Sequence, residues 1–311
     1  MIHIGIEIGG TKIQIVAGDA SGRIVERRRL AADRARGGQG IREQIASVLP
    51  ELIAAHAPVS VGVGFGGPVD YETGLICCSH QVEGWHDFSL GAWLREQSGL
   101  PVAVDNDANV AALGEALHGA GKGRRHVFWI NMGSGVGGGM VVDGRIYHGA
   151  KPGEVEIGHI RLDKSGTVVE QRCSGWAVDG RIRQAVMDAP ADSGPLSAAV
   201  RSQSASGGEA RHLGGAAKAG DPMALRIIAD VADDLAFALS HAVQLFHPDV
   251  IVVGGGLSLV GEPLRAAIAA ALPRYVMDSF QPGPHVLLAG LGEDSVPVGA
   301  LALAASAVSP A

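Results

Sequence analysis

The sequence predicts an α/β chain of two related lobes, each opened by a glycine-loop hairpin. Three observations carry this reading. The chain of 311 residues is too long for one small core and suits two domains. A strand–glycine loop–strand hairpin opens each half, over residues 1–19 and again over 126–147. Between them Pro101–Asn109, PVAVDNDAN, breaks from an apolar strand into acids and amides, and a helix follows. The carboxyl end of a buried strand, just before a helix, is where α/β sheets place their ligands.

The elements follow from periodicity and punctuation. Met1–Ile8 alternates as a strand and runs into Gly9-Gly10-Thr11-Lys12. Strands are expected over Ile13–Asp19 and Ile24–Leu30 around a Ser21-Gly22 turn, with a helix over Ile41–His56. Val59–Phe65 is a strand ending at Gly66-Gly67-Pro68, and Leu90–Ser98 a short helix. After the Pro101 strand, AALGEALHGAG is a helix stopped by Gly119 and Gly121. His126–Met132 is a strand before the glycine run 133–139, and Met140–Asp143 and Arg145–Tyr147 flank a turn. Gly153–Leu162 is expected on a strand-like frame and Cys173–Met187 as helix, while 188–208 is either a loop or the tip of a helical hairpin. Helices follow at Ala210–Ala219 and Pro222–Phe246, then a strand, Asp249–Val253, before Gly254-Gly255-Gly256. Pro263–Leu272 is a helix, His285–Ala289 a strand and Val296–Ala307 a closing helix. A smaller lobe is expected over 1–108, completed by 296–311, and a larger one over 109–295.

Composition narrows the function. Hydrophobic content of 47% and charged content of 18% describe an ordinary soluble globular chain. The 46 glycines cluster at strand ends, as in loops that approach a ligand. Net charge is −7 and the longest basic run is Arg27–Arg29, read as a solvated strand edge, so no nucleic-acid partner is expected. Cys77, Cys78 and Cys173 are too few and too badly spaced for a disulfide framework, which suggests a reducing cytoplasm. No signal peptide and no membrane segment are expected.

The polar groups supply candidate chemistry. Asp105, Asn106, Asp107 and Asn109 offer a general base with orienting partners, and equally an N-capped turn. Glu7-Ile8-Gly9-Gly10-Thr11-Lys12 puts backbone donors, a hydroxyl and an amine on one turn that suits phosphate, and Glu7 could hold Mg²⁺ directly or through water. Its glycine-to-lysine spacing is not that of a Walker A loop. Gly133-Ser134-Gly135 opens a glycine run that leads into a strand, where a dinucleotide fingerprint would open a helix, so phosphate binding is favoured. Gly254-Gly255-Gly256 could pack against a flat base or sugar. Glu154 and Glu156 share a strand face, with His159 on the other face unless Gly158 bulges. One cysteine, Cys173, is too few for structural zinc.

Taken in order, EIGGTK, GFGGPVD, DNDAN, GSGVGGG, EIGH, GDPMA and VVGGGLS resemble the ROK family of repressors, open reading frames and sugar kinases, over nearly the whole chain. The resemblance implies a two-lobed actin/hexokinase-like (ribonuclease H-like) fold closing over a sugar and ATP with Mg²⁺. It implies Asp107 as catalytic base, Asn106 as a hydroxyl-binding amide, Glu156 and His159 as a sugar-binding pair, and Gly66 and Gly67 as a turn lining the sugar site. Gly9, Gly10, Thr11 and Lys12 match the first phosphate loop, Gly133, Ser134 and Gly135 the second, and Gly254, Gly255 and Gly256 the adenosine motif. Four departures stand out: Glu7 for the usual Asp, Asn131 for Thr, Gln81 for a sugar-binding Asn, and Cys173–Asp179 in place of a cysteine-rich zinc motif ending in a sugar-contacting Glu. There Asp179 is the candidate substitute for the Glu, Trp176 is expected to fill the metal's space, and no structural zinc is expected. The implied reaction is phosphorylation of a hexose, glucose at its 6-hydroxyl first, by a cytoplasmic homodimeric enzyme. Fructose or an N-acetylated or amino hexose as acceptor, and polyphosphate as donor, are alternatives. A sugar-responsive regulator is disfavoured, because the first phosphate loop at Glu7 leaves no room before it for a helix-turn-helix.

Overall fold

Residues 1–79, 82–151, 155–190 and 193–308 are described by the computed structural model. The strands and helices, in chain order, begin with β1 (Ile2–Ile8), β2 (Lys12–Asp19), β3 (Ile24–Ala31), α1 (Gly37–His56) and β4 (Val61–Phe65). Next come β5 (Val69–Asp70), β6 (Leu75–Ile76), β7 (Phe88–Ser89), α2 (Leu90–Ser98), β8 (Val102–Asn106) and α3 (Asp107–His118). The middle of the chain holds β9 (His126–Met132), β10 (Val136–Val142), β11 (Arg145–Ile146), α4 (Val169–Cys173), α5 (Gly175–Asp188), α6 (Pro195–Arg201) and α7 (Leu213–Lys218). It ends with α8 (Pro222–Phe246), β12 (Val250–Gly254), α9 (Glu262–Ala271), β13 (His285–Leu288) and α10 (Ser295–Ser306).

These elements divide into two compact units: 1–125 with 139–155 and 290–311, and 126–138 with 156–289. The first unit therefore runs past the expected boundary at residue 108. The reason is α3, which packs against α10 through Gly114 and Gly299. A Cβ on Gly299 would lie 1.8 Å from the Val110 carbonyl, so only glycine permits that approach. Gly62, inside β4, does the same for α10, since its Cβ would meet the Ala300 oxygen at 2.0 Å. Some of the glycines thus serve packing within elements, not loops.

In the first unit five strands form a sheet in the order β3-β2-β1-β4-β8. The first three make an antiparallel meander, while β4 and β8 lie parallel to β1 and to each other. Ile4, Ile6, Ile13, Ile15, Val61 and Val63 are buried with Ile41, Ile45, Leu49 and Leu52 of α1. Each such side chain contributes about 1.5–3 kcal/mol relative to an exposed one, and truncating Leu49 to Ala costs about 2–5 kcal/mol. The register decides function: Ile8 pairs with Phe65 and Phe65 with Asn106, so three parallel strands end side by side. Gly9, Gly66 and Asp107 are the next residues on each. A small sheet, β5-β6-β7, was not foreseen, because strands of two residues carry no readable alternation.

In the second unit β12 lies between β9 and β13, parallel to both. Strand β10 starts in this unit and ends in the first. Asp221 caps α8, accepting from Met223 N and Ala224 N, and Pro222 occupies its first turn, as helix-start chemistry requires. Two expectations need correction here and an open one is narrowed. Within 153–162, Ile157–His159 forms a 3-10 turn and not a strand. The helix expected over 173–187 is α5, begun two residues later at Gly175: Cys173 ends the separate short helix α4, and Ser174 between them caps α5, its hydroxyl accepting from Ala177 N. Residues 188–208 contain α6.

Candidate active site

Asp107 is the first residue of α3. Asn106 before it is the N-cap, its Oδ1 accepting from Ala108 N at 2.8 Å and Asn109 N at 3.4 Å. The Asn106 Nδ2 donates to the Gly67 carbonyl at 3.1 Å, tying the DNDAN turn to the Gly66-Gly67 turn. The amide expected to bind a hydroxyl is thus mostly engaged in building the loop, with one N–H to spare. Asp107 itself is half-buried, and its Oδ2 lies against Gly66. Asp105, by contrast, is buried and faces inward, accepting from Asn106 N, Asn109 Nδ2 and His148 Nε2. The two acids of the motif have separate duties: one shapes the turn and the other presents a carboxylate.

Gly66 N donates to the Ile8 carbonyl at 2.9 Å, and Gly9 N to Lys12 O at 3.0 Å, closing a tight turn over 9–12. Thr11 at its tip is exposed, and Lys12 Nζ reaches back to 3.4 Å from Glu7 Oε1. Glu7 is buried beneath this turn, and Gln14 Nε2 donates to its Oε2 at 2.7 Å. Burial pushes the Glu7 carboxyl above its ordinary range, while Lys12 and Gln14 pull it back. Gln14 in turn accepts from Arg27 and Arg29. Those arginines are not a bare solvated edge, since Arg27 pairs with Asp294 at 2.7 Å and Arg29 with Glu293 at 3.6 Å.

In the second unit the strand ends again coincide, Asn131 of β9 pairing with Gly254 of β12. Gly133 N donates to Gly135 O, and Gly133 O accepts from Gly175 N at 2.7 Å. Ser134 between them is exposed. Glu170, which the sequence reading passed over, holds this loop: its Oε2 accepts from Val136 N at 2.9 Å. Gly255 takes φ +81°, and a Cβ there would meet Met132 backbone at 2.6 Å, so glycine is required at the turn. A Cβ on Gly256 would meet nothing within 4 Å, which leaves that face of the turn open. Glu156 and His159 are both exposed and stand 4.0 Å apart, Oε2 to Nε2. The 3-10 turn puts them on one side, where a strand would have parted them. Gly158 allows it, because a Cβ there would fall 2.1 Å from the Val136 carbonyl.

The ROK family model matches residues 3–307. This chain belongs to the ROK family. Among ROK relatives, glucokinase of Halalkalibacterium halodurans is 32% identical, the match covering 96% of this chain and 93% of that protein. Glucokinase of Streptomyces coelicolor is 31% identical over 97% of each. The ROK glucokinase of Streptomyces griseus, solved in complex with glucose and AMPPNP, is 30% identical, with a TM-score of 0.84 over 98% of this chain and 100% of that one. The fold is accordingly the two-domain actin/hexokinase-like fold of ROK kinases.

The departures from the ROK pattern can now be placed. Gln81 and Glu154 lie outside the described residues. Asp179 does not present its carboxylate as a replacement sugar ligand: it is buried and accepts from Gly208 N and Ala210 N, both at 2.8 Å. Trp176 fills no metal's space, since it is 72% exposed. Cys173 is buried, and desolvation pushes its thiol up to about 12, which makes it an inert core residue. Among the described residues no three His, Cys, Asp or Glu side chains cluster as a metal cage. No helix among them is long and apolar enough to cross a membrane.

Proposed function

We propose that this ROK-family sugar phosphotransferase transfers the γ-phosphoryl group of ATP to the 6-hydroxyl of glucose. The observation that carries the reading is Asp107, a half-buried carboxylate at the head of α3, seated on Gly66 where three parallel strands end. In phosphoryl transfer the protein chiefly positions the groups and balances charge. Asp107 orients the acceptor hydroxyl and takes its proton as the new P–O bond forms. The spare Asn106 N–H and the Gly66-Gly67 turn line the acceptor's seat in the first unit; Glu156 and His159 are the second unit's sugar contacts. Gly10, Thr11 and Lys12 donate to phosphate oxygens from the first unit, and Ser134 and Gly135 from the second, while Gly9 and Gly133, whose N–H groups close onto Lys12 O and Gly135 O, shape the two phosphate loops. Gly254 to Gly256, open at Gly256, receive the adenosine.

Glu7 is one desolvated carboxylate, which suits Mg²⁺ that keeps water and phosphate oxygens as its other ligands and does not suit a full protein cage. When bound, the ion screens charge on the phosphates. Glucose is favoured over other hexoses by the glucokinases among the relatives. We further infer a cytosolic homodimer; Cys77, Cys78 and Cys173 form no disulfide.

The test is a coupled ADP-release assay over glucose, fructose, mannose, glucosamine and N-acetylated hexoses, with ATP and polyphosphate as donors. Glucose with ATP is expected to give the highest kcat/KM. Asp107→Asn is expected to lower turnover about a hundredfold or more, the scale of general-base loss. Near-normal turnover in that variant removes the assignment of Asp107.

A further inference from the structure

We propose that His148 is a positioning residue for the reaction, holding Asp107 in place through Asp105. The proposal rests on the reading of Asp107 as the base. Asp105 is 3% exposed, and a carboxylate that deep must have donors for both oxygens. Its Oδ1 accepts from Asn106 N at 2.8 Å and Asn109 Nδ2 at 3.0 Å, the residues before and two after Asp107. Its Oδ2 accepts from His148 Nε2 at 2.7 Å. An ionised carboxylate only accepts, so Nε2 carries the proton.

His148 comes from a distant segment, just after β11, and its ring is located by contacts outside the DNDAN turn. It stacks on Tyr71, with ring centroids 3.6 Å apart and 12° between planes. Tyr71 lies between β5 and β6, and Lys151 sits over its ring at 5.9 Å while pairing with Asp70 and Glu72. The imidazole therefore brings an independently fixed reference to the buried end of the catalytic turn. Without its N–H, Asp105 Oδ2 loses that donor in a site closed to water. The carboxylate then turns away and releases Asn106 N and Asn109, and the residue between them is Asp107. A displacement of about an ångström at a reacting group costs up to about a hundredfold in rate.

Two substitutions separate the hydrogen bond from the stack. His148→Phe keeps a ring for Tyr71 but cannot donate; His148→Gln donates but cannot stack. Steady-state kinetics, with thermal midpoints recorded beside them, are expected to show kcat down about tenfold or more in His148→Phe, with KM for ATP within about twofold. His148→Gln is expected to recover most of that loss. In an Asp105→Asn background, His148→Phe is expected to add little, because the two act as a unit. Normal kcat in His148→Phe, equal loss in Phe and Gln variants, or additive losses with Asp105→Asn would each overturn the proposal. Asp107→Asn is run alongside. If that variant keeps its turnover, the reading of the base fails; if it is inactive while His148→Phe is normal, only the present inference fails.

Discussion

The Oδ2 of Asp107 lies 3.3 Å from where a Cβ on Gly66 would stand, and the same point is 3.4 Å from the Ile8 carbonyl. Gly66 is therefore the floor under the candidate base, pinned by its own N–H to β1. A methyl group there must displace something, and the side chain of Asp107 yields more readily than two strands. Gly66→Ala is expected to lower kcat by about tenfold while shifting stability by less than about 1 kcal/mol. Stopped-time assays and thermal melts on the same samples check this; a full loss of stability with kcat/KM per folded molecule intact would contradict it.

Glu170 plays the matching part in the second unit. Its carboxylate accepts from Val136 N, and a Cβ on Gly135 would come within 2.5 Å of its Oε2. A charge-assisted bond of this kind contributes about 1.5–3 kcal/mol to holding the loop. Glu170→Ala is expected to lower kcat/KM by at least about tenfold, with Glu170→Gln in between because its amide oxygen still accepts. Kinetics on the three proteins at equal ionic strength measure it.

Glu115 predicts a stability effect. It is fully buried, and its oxygens accept from Ala120 N, Gly290 N, Leu291 N and Ser295 Oγ, all at 2.8–2.9 Å. Four donors converge on one carboxylate at the point where α3 ends and α10 is about to begin. Glu115→Ala strands them together and is expected to cost about 3 kcal/mol or more, with Glu115→Gln milder. Urea unfolding of the three proteins, comparing midpoints at equal slope, decides it.

How much of this was legible in the sequence depended on whether the cause was local. Helix α2, helix α8 and strand β9 match the sequence reading residue for residue, because the spacing and the flanking residues that bound them are local in sequence. The turn at Asp107 was legible for the same reason: a buried strand, an N-cap and a helix follow one another directly. Spacing alone left open whether Glu156 and His159 share a face, because that depends on Gly158 meeting Val136, a contact across about twenty residues of chain. Glu170 was passed over, and Asp179 read in the wrong role, for a related reason. Each is defined by backbone N–H groups far along the chain, at Val136 and at Gly208 and Ala210. Motif order singled out the candidate site; the hydrogen bonds that stiffen it came only with the fold.

One buried and one half-buried histidine give the chain a pH dependence of stability. His3 is 2% exposed on β1, its Nδ1 2.8 Å from Ser60 Oγ. The Ser60 hydroxyl donates to the Ala304 carbonyl at 2.6 Å, so His3 Nδ1 is the donor to Ser60 and the ring is comfortable when neutral. Burial, with the nearby N-terminal amine, holds the His3 pKa below its ordinary 6.5, against the opposing pull of Asp19. His118 at the end of α3 is lowered likewise, by burial and then by Lys122. In the window between each folded value and about 6.5, the unfolded chain binds a proton that the folded chain refuses. Stability therefore rises with pH through that window, is complete above about 6.5, and is lost as pH falls toward the folded values. Urea midpoints are expected to be lower at pH 5.5 than at pH 7.5, and His3→Gln is expected to shrink that difference without abolishing it, since His118 remains. An unchanged difference in His3→Gln would mean that His3 takes up its proton as readily in the folded chain as in the unfolded one.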